Sequence, residues 1–334
     1  MTSLRRFPAR LHGRAGHTMP ATRGLVCAAP ALACAPSAAW AHTGRPIGPH
    51  DLWGAWSLEP AVVAALVASA ALYVVGTRRL WAKAGAGRGV RRWEAACFAA
   101  GWTTLALALV SPLHALGGAL FSAHMAQHEV LMAVSAPLLV LGRPVVPFVW
   151  ALPRRSLGRV ARAMKAPAVR SAWRALSNPA AAWMLHAAAL WAWHAPALYG
   201  LAVRSEWAHA AQHASFLGTG LLFWWALFRG RGGRMGYGAA VLYVFGMGVQ
   251  GGALGALLTL ARAPLYAHHA RTTQAWGLTP LEDQQLAGLI MWVPASISYL
   301  VAGLWLFTAW LREAERRTLR REAIRAPQPA AGGA

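Results

Sequence analysis

Seven apolar runs, separated by loops that are basic on one side only, constrain this chain more than any other feature. The runs cover about residues 60–77, 93–110, 120–141, 179–199, 205–228, 237–261 and 280–311. Each approaches the roughly 20 apolar residues an α-helix needs to cross a bilayer. The first loop between them carries Arg78, Arg79, Lys83, Arg88, Arg91 and Arg92. The third runs from Arg143 to Arg174 and is the most basic; the fifth carries Arg229, Arg231 and Arg234. The C-terminal segment begins with Arg312, Arg316 and Arg317. The intervening segments hold only Arg45, Arg204, Arg262 and Arg271. Positive loops stay in the cytoplasm, so the alternation predicts an N-terminal side facing out. An odd number of spans then places the C-terminal arginines inside, as that rule requires. The reading is an all-α integral membrane bundle of seven transmembrane helices over residues 59–311, with a periplasmic tail at 42–58 and a cytoplasmic tail at 312–334.

Composition agrees. Hydrophobic residues make up 57% of the chain and charged residues 13%, about half the charged share of a soluble domain. The net charge of +22 would suggest a nucleic-acid partner in a soluble protein. Here the arginines set topology and face anionic lipid, and no nucleic-acid partner is expected. The cysteines, Cys27, Cys34 and Cys97, form neither a disulfide framework nor a CxxC pair. Arg5, Arg6, Arg10, Arg14 and Arg23 precede an apolar stretch ending Ala39-Trp40-Ala41. That is the pattern of a cleavable signal peptide over 1–41, with translation starting at Met1 or at Met19.

Local signals mark several helix starts. Asn178-Pro179 reads as an N-cap with proline at the first helical position. Thr279-Pro280-Leu281-Glu282 reads as a capping box. Pro137 should kink the third run and free a carbonyl near Ala133. In the long third loop Leu157, Val160, Ala161 and Met164 share one face of a predicted interfacial helix. Gly246, Gly248, Gly251, Gly252 and Gly255 in the sixth run suit close helix packing.

The chemistry concentrates in histidine. His124 and His128 stand four apart on the third run, and His209 and His213 repeat the spacing on the fifth. That spacing puts both imidazoles of a pair on one helix face. His194 lies near the outer end of the fourth run. All five fall within roughly 5–15 Å of the outer boundary at 1.5 Å per residue. Asp283, Gln284 and Gln285 open the seventh run at the same level, and His114, His268 and His269 lie in adjoining outer loops. Ionisable residues at membrane depth are costly and mark function. One histidine is readily explained by a hydrogen bond to a neighbouring helix; the whole set points to a metal or haem site. Met132 continues the His124/His128 face, Met125 lies beside it, and Met291 lies two turns below Asp283. Thioether with imidazole suits copper, Cu(I) in particular. Were the chain cleaved after Ala41, the amine and imidazole of His42 could chelate Cu(II). Glu129 is read as a hydrogen-bonding partner of a ligating histidine or the wall of a wet cavity. Asp283 is read as a ligand, such a partner, or a helix-start charge. Gln284, His268, His269 and Met291 are read as supporting or access residues.

These motifs resemble a known family. They are Phe121-Ser-Ala-His-Met-Ala-Gln-His-Glu-Val-Leu-Met132 with Ala136-Pro-Leu-Leu-Val-Leu-Gly142-Arg-Pro144, Trp193-His-Ala-Pro-Ala-Leu-Tyr199, His209-Ala-Ala-Gln-His213 and Glu282-Asp-Gln-Gln-Leu-Ala-Gly-Leu-Ile-Met-Trp-Val-Pro294. In order, from about Leu58 to Trp310, they are similar to the membrane-integral CtaG-type cytochrome c oxidase assembly factors. The resemblance implies a seven-helix protein of the bacterial plasma membrane needed to assemble a haem–copper oxidase, with a role in copper delivery and no catalytic role. It implies oxidase subunits or a periplasmic copper chaperone as partners. It maps the family's motif residues onto His124, His128, Met132, His194, His209, His213 and Asp283. Glu129 stands where the family pattern has leucine.

Two enzymatic or redox readings fit the same residues. An intramembrane zinc hydrolase would use three histidines and a water, with Asp283 or Glu129 as base. A haem protein would use histidines of two helices as axial ligands. A scaffold reading predicts that the histidines matter for stability alone.

Overall fold

The computed structural model describes residues 47–229 and 235–325. The signal segment, His42, Arg231, Arg234 and the end of the tail lie outside them. Among the described residues the regular structure is helical throughout, with no strand.

The first two helices, α1 (Pro60–Ala84) and α2 (Arg92–Val110), form a hairpin. Gly85, at φ 93°, ends α1 in a conformation that favours glycine. A short α3 (Pro112–Ala119) follows, with Ser111 Oγ accepting from Leu113 N. The third apolar run then splits into α4 (Phe121–Glu129), a π-helical turn over Val130–Ser135, and α5 (Ala136–Leu141). After a bend of 60° comes α6 (Val145–Ala151). The basic loop folds into α7 (Arg154–Lys165) and α8 (Pro167–Leu176), neither of which buries a residue. The remaining helices are α9 (Pro179–His194), α10 (Pro196–Arg204), α11 (Glu206–Phe228), α12 (Tyr237–Thr259) and α13 (Pro280–Arg325).

The predicted caps form. Asn178 Oδ1 accepts from Ala180 N and Ala181 N. Thr279 N and Oγ1 donate to Glu282 Oε2 while Glu282 N donates to Thr279 Oγ1. Pro137 acts differently from the expected kink. In a π turn the carbonyl of Met132 would bond the amide five residues on, which is the proline with no N–H. The freed carbonyl is therefore that of Met132, next to Ala133 as expected, and Trp224 Nε1 donates to it at 2.9 Å.

All seven runs are helical, but they are not seven equal rods. Helices α1, α2, α12 and the 280–322 part of α13 are each long and apolar enough to cross a membrane, and the bent α4–α6 stretch makes up to five. The run 179–199 breaks at Ala195-Pro196, leaving α9 with 16 residues. The 23-residue α11 carries Glu206, His209, Gln212 and His213 in its first half. At the other end α13 continues past residue 311 to Arg325.

Helix α4 sits at the centre, packed against α3 and α13, while α11 packs on α5 and α9. Helices α12 and α13 pair most extensively. A Cβ on Gly255 would stand 2.7 Å from Gly288 O, so only glycine permits this approach. Leu242, Phe245 and Val249 on α12, with Ile297, Leu300 and Leu304 on α13, point outward. Large apolar side chains outside and polar ones inside is the distribution a lipid solvent selects.

Candidate functional site

The centre of the histidine end is built by four helices. His114 comes from α3, His124 and His128 from α4, His194 from α9, and His209 and His213 from α11. All but His213 are buried. The His124 and His128 ring centroids are 4.4 Å apart, and those of His209 and His213 are 4.2 Å apart. Across helices, His128 lies 5.2 Å from His213, His124 lies 5.3 Å from His209, and His114 lies 5.5 Å from His209. Two imidazoles on one ion, with bonds near 2.0 Å, have centroids about 5 Å apart. The two predicted i,i+4 pairs therefore face each other at ligand spacing. Among the described residues no three His, Cys, Asp or Glu side chains already stand as a metal-ligand set. The rings form a cluster, not a closed cage.

Two members have telling partners. His128 is 1% exposed, and neither of its ring nitrogens meets a hydrogen-bond partner. Leaving a buried polar group without a partner costs about 1–3 kcal/mol. Phe216 edges its ring at 4.7 Å and excludes water from that side. His194 Nδ1 faces Leu190 O at 2.6 Å, so it carries the proton and donates. The Nε2 lone pair then points at Met125 Sδ, 3.2 Å away. A nitrogen and a thioether do not bond each other in that form. Their spacing approaches the roughly 3.5 Å between two tetrahedral ligands with bonds of 2.0 and 2.3 Å.

Other predicted residues build the frame. Asp283, 1% exposed, does not join the rings: its Oδ2 accepts from Phe121 N at 2.7 Å and its Oδ1 from Ser122 N and Ser122 Oγ. It is a cap supplied from α13 to the start of α4, and it locks the helix that carries His124 and His128. Gln284 Oε1 accepts from Leu265 N, tying α13 to the outer loop. Tyr266 OH donates to His194 O. His269 is buried, with Nε2 at 2.7 Å from Tyr199 OH. His268 is exposed and accepts from Arg204 Nη1 at 2.9 Å. Partial burial and the Arg204 charge hold its imidazole below the ordinary range.

Three predicted residues lie deeper. Met132, Met291 and Glu129 line a separate small cavity with His186 and Met247. The π turn explains Met132: its wider coil rotates that residue off the face that His124 and His128 share. His114 and His186 were not among the predicted site residues. His114 is expected in a loop from the sequence, whereas it lies in α3, whose Ser111-Pro112 start is the same cap-proline signal that marks α9. Its Nδ1 lies 3.0 Å from Gln127 Nε2, within the wall of the cluster. Nothing local in the sequence ties His186 to Met132.

A helical membrane protein with a buried histidine cluster at one end of its bundle is thus defined. The sequence matches the cytochrome c oxidase caa3 assembly factor family (Caa3_CtaG) over residues 71–313. The chain belongs to that family. It is also similar to uncharacterized proteins of Mycobacterium bovis and Mycobacterium tuberculosis, each 31% identical over 231 residues. That alignment covers 66% of this chain and 35% of each relative. A third uncharacterized relative, from Mycobacterium leprae, is 27% identical over 235 residues, again 66% of this chain and 35% of the relative. The chain thus spans about a third of the length of these relatives. No solved structure matches.

Proposed function

We propose that the protein assists assembly of a haem–copper cytochrome c oxidase by holding copper at its histidine end and releasing it to an oxidase subunit or a periplasmic copper chaperone. The single observation that carries the reading is His128, buried beside His124 and His213 with both ring nitrogens bare. A lone pair buried without a hydrogen bond is a cost that a bound ion removes. Met125 beside His194 adds a soft donor, which favours Cu(I) over zinc. His124, His128, His194, His209 and His213 are the proposed ligands, with His114 at the edge of the cluster. An open cluster suits a cargo that must leave, since a closed cage releases metal slowly.

The arginine alternation supports seven spans, with the histidine end toward the periplasm and the basic loops in the cytoplasm. On this reading 1–41 is removed and the protein resides in the bacterial inner membrane, with α7 and α8 lying along its cytoplasmic face. The zinc-hydrolase reading loses support because Asp283, one of its two candidate bases, is engaged by three donors, and Glu129, the other, lines a separate cavity. The haem reading loses support because the pairs spaced widely enough for axial ligands, His114–His213 at 6.1 Å and His124–His213 at 6.3 Å, both have His209 packed 4.2–5.5 Å from their rings, where the porphyrin would have to lie.

The test is Cu(I) affinity of the detergent-purified protein beside a His124→Ala/His213→Ala variant. The proposal expects tight binding in the wild type and a loss of at least tenfold in the variant, about 1.4 kcal/mol. Equal affinity in two folded proteins would remove the ligand assignment.

A further inference from the structure

One turn below the histidines, α4 opens onto a second polar pocket inside an otherwise apolar layer. Glu129, Met132, His186, Met247 and Met291 line it, with Gly248, Gly251 and Gly252 leaving it open on the α12 side. Its free volume is about 10 Å³ for a water-sized sphere, which is room for one water or one ion. Met132, Met247 and Met291 are each at most 3% exposed, and His186 is 1% exposed. Three of the chain's nine methionines meet here.

The proton positions at His186 follow from its neighbour. Thr219 Oγ1 donates to Ser215 O at 2.7 Å, so its hydrogen is committed. Thr219 Oγ1 must therefore accept from His186 Nδ1, which lies at 2.9 Å. His186 Nε2 is left as a bare lone pair, with no hydrogen-bond partner among the described residues. A Cβ on Gly220 would meet both Met132 Cα at 3.6 Å and His186 Cε1 at 3.8 Å, so these two residues adjoin. Met247 Sδ accepts from Gln250 Nε2 at 2.7 Å, which leaves its second lone pair unused. Glu129 makes no hydrogen bond and no ion pair among the described residues.

We infer that this pocket is a second, deeper Cu(I) site, with Met132, Met247, Met291 and His186 as soft donors and Glu129 as the counter-charge. Thioethers and imidazole select Cu(I) among the biological metals. A single carboxylate neutralises a single positive charge, so the loaded site is neutral at membrane depth, where a net charge is costly. A divalent ion would keep one charge uncompensated. The inference rests on the copper reading of the histidine end: His128 and Glu129 are neighbours on α4, so the cluster and the pocket form successive stations. Transfer between them is ligand exchange with no change of oxidation state.

The experiment loads the purified full-length protein with Cu(I) supplied as its acetonitrile complex under anaerobic conditions. Copper per chain is measured by mass spectrometry, and the copper ligands by X-ray absorption. Two variants are compared: His124→Ala/His213→Ala, and Met132→Leu/Met247→Leu/Met291→Leu, the latter preserving volume. Size-exclusion profiles and thermal melting report folding. Two coppers per chain are expected in the wild type, with sulfur scattering near 2.3 Å. The methionine variant should fall to one copper and lose most of that sulfur signal. The histidine variant should keep the sulfur-bound copper. Glu129→Gln should weaken the sulfur-bound copper by more than about tenfold. One copper with unchanged sulfur scattering in the folded methionine variant and the wild type alike would overturn the second site, since the sulfur would then be Met125's. Sulfur-bound copper that disappears only in the histidine variant would overturn it equally. No copper in any variant would remove both sites.

Discussion

Two polar clusters sit at opposite ends of the same helices and are finished differently. At the arginine-rich end Glu94 Oε1 lies 3.6 Å from Arg143 Nη1 and 3.5 Å from Arg229 Nη2, while its Oε2 accepts from Arg91 N. Arg229 Nη2 donates to Leu141 O, and Tyr73 OH donates to Gly142 O. The buried Glu94 carboxylate is surrounded by donors. At the histidine end His128 has no hydrogen bond on either nitrogen, and His194 turns a lone pair toward a sulfur. Both clusters are fixed by packing, and on the proposed reading they differ in purpose. A charge network that closes on itself ties α2, α5 and α11 together. His128, whose nitrogens meet no such partner, is on the proposed reading the residue poised for a guest. The paired end should therefore respond to mutation in stability, and the histidine end in binding.

Four substitutions separate these behaviours. Glu94→Ala has the largest expected cost, about 3 kcal/mol, because it leaves two guanidinium groups facing each other; thermal unfolding in detergent should show it, and an unchanged melting temperature would break the contrast. Asp283→Ala removes three hydrogen bonds from the start of α4 and should cost about 2 kcal/mol, with hydrogen exchange rising first at Phe121 and Ser122. His128→Phe should change stability by less than about 1 kcal/mol, since it removes an unsatisfied group, yet copper binding should fall. Arg204→Gln should leave stability within about 0.5 kcal/mol. Because Arg204 helps hold His268 below the ordinary imidazole range, the His268 titration seen by NMR should move up in that variant. A downward shift would show that the contact at 2.9 Å is not what depresses it.

The features legible in the sequence are those that local chemistry decides. Hydropathy marks the helices, and the caps at Asn178 and Thr279 are self-contained motifs. That His124 and His128, and likewise His209 and His213, share a face was readable from the i,i+4 spacing, because a helix face is a local property; that the two pairs meet depends on helix order, which the sequence does not carry. The interruptions were harder. That Pro137 would act through a π turn depends on Trp224 being in place to accept the burden of the freed carbonyl, 92 residues away. This turn carries Met132 off the histidine face and toward His186. Asp283 read as a ligand candidate because its register matched the histidines; that its oxygens cap another helix is a tertiary fact. His114 was hidden by its position between two runs, where a helix of eight residues is shorter than any spanning window.

The central claim is that the bare nitrogens of His128 serve cargo and not architecture. The most direct test replaces the native copy in cells with His128→Phe and measures haem–copper oxidase activity and copper content in the membranes, with the amount of the variant protein quantified alongside. The account predicts normal levels of the variant and at least a tenfold loss of copper-loaded oxidase. Full oxidase assembly at normal variant levels would contradict it.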